Sequence, residues 1–343
     1  MKTFVRVAFV IASAGCSAEV MVGPDGGGAD AGPSGPVTLA FTSPAAGAHV
    51  TRGDLGTDGF LVAEVPVALA IGGAPARVVI TRDQRVLATV GADGTAALEL
   101  GERGAAALVA IAYDGDDRPV ASAEVGIVVD DPAVASCHDW LELYGVDYTT
   151  GPDSPGVAEP VTATIPINGV AWRYVENENP RSTLFGDCDL IRSLAEAAPY
   201  LRRRGVVEVA DIGVYNYRCI GGGTPPNCPN GISQHAYANA IDIAGVTYDG
   251  GATYASVLTD WVIDPDAQPT CSAATEPGKD TLLHELICEL KAAGVWNIVL
   301  TPNYNGDHRN HFHVDLTPGG NTINREVGVD PRSDDGAPAR HYH

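Results

Sequence analysis

The chain has 343 residues, of which 45% are hydrophobic, and this is enough to form the cores of two domains with accessory segments. Its 40 glycines and 24 prolines favour strands, turns and loops over long helices. The formal net charge of −22 repels the phosphates of nucleic acids and anionic lipid headgroups, and it therefore excludes both as general partners.

Residues 1–16 have the pattern of a bacterial signal peptide. A basic start precedes an apolar run, residues 7–14, that is too short to cross a membrane as a helix. Ser13-Ala-Gly-Cys16 resembles a lipobox, in which the cysteine carries lipid, although Ser13 departs from the usual leucine-like residue. The alternative is an ordinary signal peptide cut nearby. We expect an exported lipoprotein that faces the periplasm or cell surface and contacts the membrane only through Cys16.

Residues 17–36 predict a flexible linker, because they are rich in glycine and proline and lack apolar periodicity. Residues 37–131 resemble a bacterial immunoglobulin-like module, an all-β sandwich in which glycine and aspartate turns separate short strands. Its lone His49 is expected to be a solvated or turn residue, and its predicted role is that of a spacer or adhesion module. The predicted strands are residues 62–71, 77–81, 85–90, 95–100, 107–113 and 123–129.

Residues 132–320 predict an α+β domain, since helices and strands mix there without a regular β-α-β alternation. Apolar stripes predict helices over residues 187–204 and 280–293. Pro199 is expected to kink or split the first helix, and His284 in the second is assigned a structural or surface role. Residues 321–343 are expected to be a tail. Strands are predicted at residues 161–167, 170–174, 296–300 and 312–316, with a strand-turn-strand unit over residues 206–218.

Six cysteines follow Cys16, and an even number in an exported protein favours disulfides. A zinc site built from cysteines is the alternative, but no pair has the Cys-x-x-Cys spacing that such sites favour. Sequence proximity suggests pairing the third with the fourth and the fifth with the sixth, which leaves the first two as a pair. The six are Cys137, Cys188, Cys219, Cys228, Cys271 and Cys288.

Four of the nine histidines fall in two short windows, Ser233 to Asp242 and His308 to Asp315. Histidine and aspartate suit a catalytic zinc ion, which takes three protein ligands and leaves one position for water. His235 and Asp242 both face one site if a loop carries the histidine and a strand carries the aspartate.

The second window supplies further imidazoles to the same pocket. His311 and His313 share one face of a predicted strand, because side chains alternate along a strand. One of them is expected to be a ligand and the other a base beside the attacking water. His308 lies in the loop before the strand and is expected to be a second-layer residue, which means one that contacts the ligands and not the metal itself. Each histidine taken singly has a structural alternative, but the cluster predicts a Zn²⁺ site.

These motifs resemble a known family. Residues from about 137 to 319 are similar to the C-terminal domain of extensin-like proteins. That domain is similar to the zinc peptidases that include D-alanyl-D-alanine carboxypeptidases and penicillin-insensitive murein endopeptidases, and to the hedgehog signalling domain. The motifs that carry the resemblance are Tyr217-Arg218, Ser233-Gln-His235 with Ala240-Ile-Asp242, and His311-Phe-His313.

The resemblance implies His235, Asp242 and His313 as Zn²⁺ ligands and His311 as the base. It also implies that Arg218, in a turn that the family writes Gly-Tyr-Arg-Ser, stabilises the oxyanion. A surface ion pair is the alternative for this arginine in so acidic a chain.

Two further residues of these motifs, Ser233 and Tyr217, are candidates for substrate binding or for contacts with the ligands. The alternative for Ser233 is that it is a plain turn residue. The chain departs from the family pattern at Ala238, where the family has glycine, and at Cys219, where it has serine. The alanine matters little if its φ stays negative. These departures leave the implied ligands intact and bear on substrate geometry.

The resemblance and the expected compartment together imply an exported zinc metallopeptidase or amidase that acts on peptidoglycan peptides. It would be a hydrolase like the DD- or LD-carboxypeptidases or endopeptidases. The alternatives are a non-catalytic zinc-containing module that binds the cell wall or a surface protein, and a structural wall protein held by disulfides. The presence of His311 and Arg218 beside three ligands favours the enzyme.

Overall fold

The computed structural model of the chain describes residues 35–176, 180–264, 269–324 and 326–327. The predicted signal peptide with Cys16, nearly all of the predicted linker and most of the predicted tail lie outside the described residues. Within these ranges, none of the helices combines the length and the apolar character needed to cross a membrane.

The described chain is mostly β-sheet with few helices, and its first part consists of strands alone. One sheet has the order β1-β4-β3 with β7 paired to β4, and the other has the order β2-β9-β8-β5-β6. All six strands predicted here are confirmed. The strands are β1 (Thr38–Ser43), β2 (Ala48–Thr51), β3 (Asp54–Leu55), β4 (Leu61–Gly72), β5 (Arg77–Arg82), β6 (Arg85–Thr89), β7 (Thr95–Leu100), β8 (Gly104–Tyr113) and β9 (Pro119–Asp130).

The chain after residue 131 combines two further sheets with short and medium helices. The helices are α1 (Cys137–Leu143), α2 (Cys188–Arg203), α3 (Val257–Asp260) and α4 (Lys279–Ala292). The strands are β10 (Tyr148–Thr150), β11 (Pro160–Thr164), β12 (Ala171–Tyr174), β13 (Thr183–Asp187), β14 (Glu208–Gly213), β15 (Ala240–Tyr248), β16 (Thr253–Ser256), β17 (Ile298–Leu300), β18 (Phe312–Asp315), β19 (Thr322–Ile323) and β20 (Glu326–Val327).

The larger of these sheets has the order β12-β14-β15-β18-β17-β19-β20, with β16 paired to β15. It is mixed, because β12–β14 and β17–β19 are parallel pairs and the other pairs are antiparallel. The smaller sheet has the order β10-β11-β13. The central strands β15 and β18 lie side by side, and this places the two predicted motif windows next to each other.

Helix α2 lies where the apolar stripe predicts it, and Asp187 caps its first turn by accepting a hydrogen bond from the backbone N–H of Asp189. The helix continues through Pro199, so of the two predicted effects the split is wrong, and the kink remains a prediction. Proline leaves the carbonyl four residues earlier, that of Ala195, without its helical donor. The side-chain amide of Asn168 donates to this carbonyl at 2.9 Å, and the lost hydrogen bond is thereby replaced.

Helix α4 begins one residue earlier than predicted, and His284 on it is buried, with 4% of its surface exposed. Its Nδ1 lies 3.1 Å from Oδ1 of Asp280, and its Nε2 lies 3.3 Å from Oδ2 of Asp264. Trp261 stacks on the imidazole with ring centroids 3.6 Å apart. The histidine therefore has a structural role here and is not a surface residue.

The predicted strand-turn-strand unit over residues 206–218 is wrong in its second half. Strand β14 ends at Gly213, and residues 215–218 have no regular structure. The backbone of this segment forms hydrogen bonds with the loop that precedes β15. Asn216 N–H donates to the carbonyl of His235 at 3.0 Å. Ser233 N–H donates to the carbonyl of Arg218 at 3.1 Å. The backbone groups that a hairpin would use are thus committed to the loop before β15.

All six predicted disulfide cysteines are paired. The bonds are Cys137–Cys188, Cys219–Cys228 and Cys271–Cys288, which is the pairing that sequence proximity suggests. With every sulfur of this set in a disulfide, the alternative of a zinc site built from these cysteines is wrong.

By its contacts the described chain divides into two units that alternate along the sequence. The first comprises residues 35–50, 64–99 and 106–128. The second comprises residues 51–63, residues 100–105 and the chain from residue 129 onward. Two segments that fall inside the predicted sandwich therefore share their contacts with the part of the chain that holds the motif windows.

A buried arginine in one of these segments joins several parts of the second unit. Nη1 of Arg103 lies 2.9 Å from Oε1 of Glu196 on α2 and 3.3 Å from Oδ2 of Asp131. Its Nη2 donates to the carbonyls of Ala293 and Gly294, just past the end of α4, at 3.0 and 2.8 Å. Burial alone would lower the pKa of Arg103, but the two carboxylates raise it above its usual value. The guanidinium is therefore charged, and it holds α2 and α4 together.

Candidate metal centre

The register of two neighbouring strands brings the two motif windows together. Strands β15 and β18 are antiparallel, and Asp242 lies directly opposite His313. Opposite residues of such a pair project their side chains to the same face of the sheet. His235 comes from a 3-10 helix, Gln234–Tyr237, just before β15. As predicted, a loop element carries the first histidine and a strand carries the aspartate.

Three ligand-type atoms converge at this point. Nε2 of His235 lies 3.2 Å from Oδ1 of Asp242 and 3.2 Å from Nδ1 of His313. Nδ1 of His313 lies 2.9 Å from the same carboxylate oxygen. These atoms all lie within 4.8 Å of one another, so one divalent cation can contact all three with modest adjustment. Two imidazoles and a carboxylate are a donor set that suits zinc.

The orientation of His235 is fixed by backbone groups. Its Nδ1 lies 2.7 Å from the carbonyl oxygen of Val214, and because a carbonyl only accepts, Nδ1 carries the proton and donates. Nε2 is thereby left unprotonated, as a metal ligand requires. The hydroxyl of Ser233 caps the 3-10 helix by accepting the N–H of His235 at 3.3 Å. This places Ser233 in contact with the backbone of His235, and its predicted second-layer role remains a prediction.

Ala238 ends that 3-10 helix in the left-handed region, with φ of 50° and ψ of 30°. Replacing the family's glycine by alanine is expected to matter little only if φ stays negative. Since φ is positive here, that condition is not met. A left-handed alanine costs roughly 1–2 kcal/mol relative to a relaxed backbone. Its methyl group is fully buried, and this contact offsets part of that cost.

The orientation of His313 depends on a carboxylate that sequence analysis did not single out. Nε2 of His313 lies 3.0 Å from Oδ2 of Asp315, which is 4% exposed. Oδ1 of Asp315 accepts the backbone N–H of Thr317 at 2.8 Å, and this fixes the carboxylate. A carboxylate behind a ligating histidine sets its tautomer and increases its basicity. The signal was present in the sequence, because a residue two positions after His313 on a strand shares its face.

The charges of the metal-free cluster are strongly coupled. Burial would raise the pKa of Asp242, but the adjoining imidazoles of His235 and His313 hold it well below its usual range. Burial would lower the pKa of His313, but hydrogen bonds to Asp242 and Asp315 raise it to about 9. At neutral pH the metal-free cluster therefore holds an imidazolium between two carboxylates. A cation that binds here displaces this proton.

His311 lies at the edge of the cluster, immediately before β18. Its Nε2 is 3.5 Å from Oδ1 of Asp242, and its Nδ1 is 2.8 Å from the side-chain oxygen of Asn310. The amide oxygen accepts, so Nδ1 carries the proton and Nε2 is left to act as a base. Burial lowers the pKa of His311, and the imidazole is therefore neutral and able to accept a proton at neutral pH.

His308 stands behind His311, with ring centroids 5.2 Å apart. Its Nδ1 lies 2.6 Å from the side-chain oxygen of Asn305. Burial, together with the neighbouring His311 and His313, lowers the pKa of His308 to about 4. It is thus a neutral imidazole next to the base, and its predicted second-layer role remains a prediction.

A cleft of about 560 Å³ opens beside the cluster. Arg218 lines it and is half-buried, and none of the described carboxylates forms an ion pair with this arginine. Within the ranges that the structure describes, the surface ion pair considered for Arg218 is therefore not formed. The lining residues are Tyr174, Arg181, Leu184, Phe185, Ile212, Gly213, Val214, Tyr215, Asn216, Arg218, His235 and Asp242.

Tyr217 is 38% exposed and is not among the lining residues, whereas its neighbours Tyr215 and Asn216 are. Its predicted part in substrate binding remains a prediction. Cys219, at the other side of Arg218, is bonded to Cys228 and is fully buried. The disulfide closes the loop that follows Arg218 and so restricts the backbone that carries the guanidinium.

Asp315→Asn is expected to weaken Zn²⁺ binding about tenfold to a hundredfold, because the loss of a carboxylate behind a ligating histidine has effects of this size. Affinity is measured by competition with a chromogenic chelator. The matched control is Asp307→Asn, which changes an exposed aspartate in the 3-10 helix Gly306–His308 and should leave the affinity unchanged. Equal affinity in Asp315→Asn and wild type would mean that Asp315 does not tune the site.

Residues 190–324 match the family model described as the extensin-like protein C-terminus. The predicted resemblance to this family is thereby confirmed, over a segment that includes all three converging residues. The chain matches no curated protein. Among solved structures, it matches the fibronectin(III)-like modules of Clostridium thermocellum CbhA at 19% sequence identity and a TM-score of 0.23, over 29% of this chain and 100% of that chain.

Proposed function

We propose that the chain is an exported zinc-dependent peptidase or amidase that hydrolyses peptidoglycan peptides. The observation that carries this proposal is the convergence of His235, Asp242 and His313 beside a cleft that also contains Arg218, with His311 at the edge of the cluster. The proposal includes the similarity of extensin-like C-terminal domains to zinc peptidases. The predicted export signal and the lipobox-like Cys16 support a substrate outside the cytoplasm.

The number of ligands supports an enzyme over a purely structural zinc site. Within the described residues, the cluster offers three ligand atoms. Catalytic zinc sites use three protein ligands and keep a position for water, whereas structural sites are closed by four. The sulfurs that usually close structural sites are all committed to disulfides in the described chain.

The roles of the residues follow from their positions. A bound Zn²⁺ supplies Lewis acidity and makes a water molecule more acidic. Nε2 of His311 accepts the proton of the attacking water and later returns it to the leaving amine. The guanidinium of Arg218 stabilises the negative charge that develops on the carbonyl oxygen. The carbonyl of Val214 and the carboxylate of Asp315 contribute by orienting the ligand histidines His235 and His313.

His311→Ala is expected to lower kcat for muropeptide hydrolysis by about a hundredfold to ten-thousandfold, the usual contribution of general acid–base catalysis. The full chain is incubated with muropeptides with and without added Zn²⁺, and the products are identified by mass spectrometry. Zinc stoichiometry should be unchanged in this variant, since His311 is outside the set of three.

His138→Ala is the matched control, because this half-exposed histidine stacks on Tyr148 and is not among the lining residues of the cleft. It should retain wild-type hydrolysis. If the wild type binds Zn²⁺ stoichiometrically and cleaves no muropeptide, the enzyme proposal fails. The non-catalytic module that binds cell-wall peptides then replaces it.

A further inference from the structure

A second arginine lines the cleft, and the proposed hydrolysis does not use it. Arg181 lies in the segment between β12 and β13 and lines the same cleft as Arg218, His235 and Asp242. Its Nε donates to Oδ2 of Asp211 at 2.9 Å, and its Nη2 donates to Oδ1 of the same carboxylate at 2.6 Å. Asp211 is on β14 and is fully buried, while 27% of the arginine side chain remains exposed.

The guanidinium of Arg181 is held from several directions. The two parallel hydrogen bonds to Asp211 fix its plane. Its backbone N–H donates to the carbonyl of Trp172 at 2.8 Å, and its Cζ lies 5.2 Å from the centre of the Tyr174 ring. A donor group that is already ordered loses little conformational entropy when a ligand binds. This arrangement is typical of a guanidinium positioned for recognition.

Part of the guanidinium remains for a ligand. A guanidinium has five N–H donors, and Asp211 occupies one on Nε and one on Nη2. Nη1 of Arg181 has no hydrogen-bond acceptor among the described residues. The donors that remain suit a planar acceptor with two oxygens, which is the shape of a carboxylate.

The hydrogen-bond donors of the cleft also favour an anionic ligand. The lining residues include two arginines and one carboxylate, that of Asp242. Asp242 hydrogen-bonds within the histidine cluster and forms no ion pair with Arg218, so it does not occupy the donors of this arginine. The charge of Asp211 offsets that of Arg181 for any group far from the pair. Arg181 therefore favours a carboxylate through hydrogen bonds that it donates directly, and not through net charge. The chain as a whole carries a net charge of −22, so a cleft lined by two arginines and one carboxylate is a local exception.

We propose that Arg181, positioned by Asp211, binds a free carboxylate of the ligand, so that the cleft selects peptides that end in a carboxylate over the same peptides in amide form. The identity of the peptide rests on the proposed function, but the recognition itself needs neither hydrolysis nor a bound metal. A carboxamide presents one acceptor and an NH₂ group that opposes the guanidinium, and it is therefore the discriminating analogue.

The test measures binding of two probes to the metal-free full chain by isothermal titration calorimetry. The probes are acetyl-Lys-D-Ala-D-Ala with a free C-terminal carboxylate and the same peptide with a C-terminal carboxamide. The wild type should bind the acid at least about tenfold more tightly, as expected for a charge-assisted pair of hydrogen bonds. In the double variant Arg181→Gln with Asp211→Asn, this preference should fall below about threefold.

The double variant is chosen because Arg181→Gln alone would leave the buried Asp211 unpaired and risk the fold. Arg181→Lys is the second variant: it keeps a charge against Asp211 but lacks the second branch of the fork, and it should also lose the preference. The matched control is Arg173→Gln with Glu208→Gln. Arg173 forms a similar ion pair at 2.9 Å and is not among the lining residues, so this variant should keep the preference.

Three results overturn the proposal: equal binding of acid and amide by the wild type, binding of neither probe, or a preference that survives in the Arg181 variants. The outcome is separable from the proposed function. Failure to cleave muropeptides with Zn²⁺ would reject the enzyme while leaving a measured acid preference intact. Cleavage without an acid preference would reject Arg181 as the carboxylate site and leave the enzyme.

Discussion

His235→Ala is expected to lower the affinity of the full chain for Zn²⁺ by at least about a thousandfold. Zinc binding to a full set of protein ligands contributes about 10–16 kcal/mol, so one ligand of three accounts for roughly 4 kcal/mol, or three orders of magnitude. The other two ligand atoms lie 2.9 Å apart and remain in place, so the variant should still bind zinc weakly. Bound zinc is measured by mass spectrometry after dialysis against a chelator of known affinity.

His138→Ala again serves as the control and should bind zinc as the wild type does. Circular dichroism of both metal-free proteins checks that the fold is intact, because His235 also donates to the carbonyl of Val214 inside the molecule. Undiminished zinc affinity in a folded His235→Ala protein would exclude His235 as a ligand. The metal site would then have to be sought elsewhere in the chain.

Residues 132–343 produced alone are expected not to form a stable fold at 25 °C, although they contain both motif windows. The second contact unit also includes residues 51–63 and 100–105. Truncation removes three residues of its hydrophobic core, Phe60, Leu61 and Val62. The burial of three such side chains is worth about 6 kcal/mol in total.

The truncation also removes Arg103 from Glu196, which is 6% exposed. Removing one partner of a buried ion pair typically costs about 3–5 kcal/mol. The combined loss of about 10 kcal/mol is comparable to the whole stability of a typical domain. Thermal unfolding followed by near-ultraviolet circular dichroism should show a cooperative transition for residues 35–343 and none for residues 132–343. A cooperative transition in the shorter fragment would show that these segments are dispensable.

A point variant separates the charge effect from the loss of chain. Arg103→Ala in the full chain should lower the free energy of unfolding by about 3–5 kcal/mol. The double variant Arg103→Met with Glu196→Met replaces the ion pair by apolar side chains of similar length and should recover most of this loss. Chemical denaturation measures both.

The features that could be predicted from the sequence are those with a local pattern. The apolar stripe of α2, the alternation along β18 and the spacing of the cysteines each involve residues close in the chain, and each prediction agrees with the structure. The convergence of His235 with His313 followed from recognising two windows as parts of one motif. It did not follow from either window alone.

The features that could not be predicted join distant residues without a motif. Arg103 reaches the carbonyl of Gly294 across 191 positions of sequence, and Arg181 reaches Asp211 across 30. Nothing in the local sequence of either arginine distinguishes it from a solvated surface residue, since its role depends on which carboxylate the fold buries next to it. For the same reason, the sequence did not indicate that residues 51–63 and 100–105 belong to the second contact unit.

The two histidines of the proposed metal site offer unequal opportunities to a protein engineer. His235 takes its orientation from a main-chain carbonyl, which is present whatever side chain occupies position 214. Sequence drift at that position therefore leaves the ligand in place. His313 takes its orientation from a side chain, so a library of substitutions at position 315 gives graded control over the basicity of this imidazole. Attempts to redesign the metal preference of the protein should begin there.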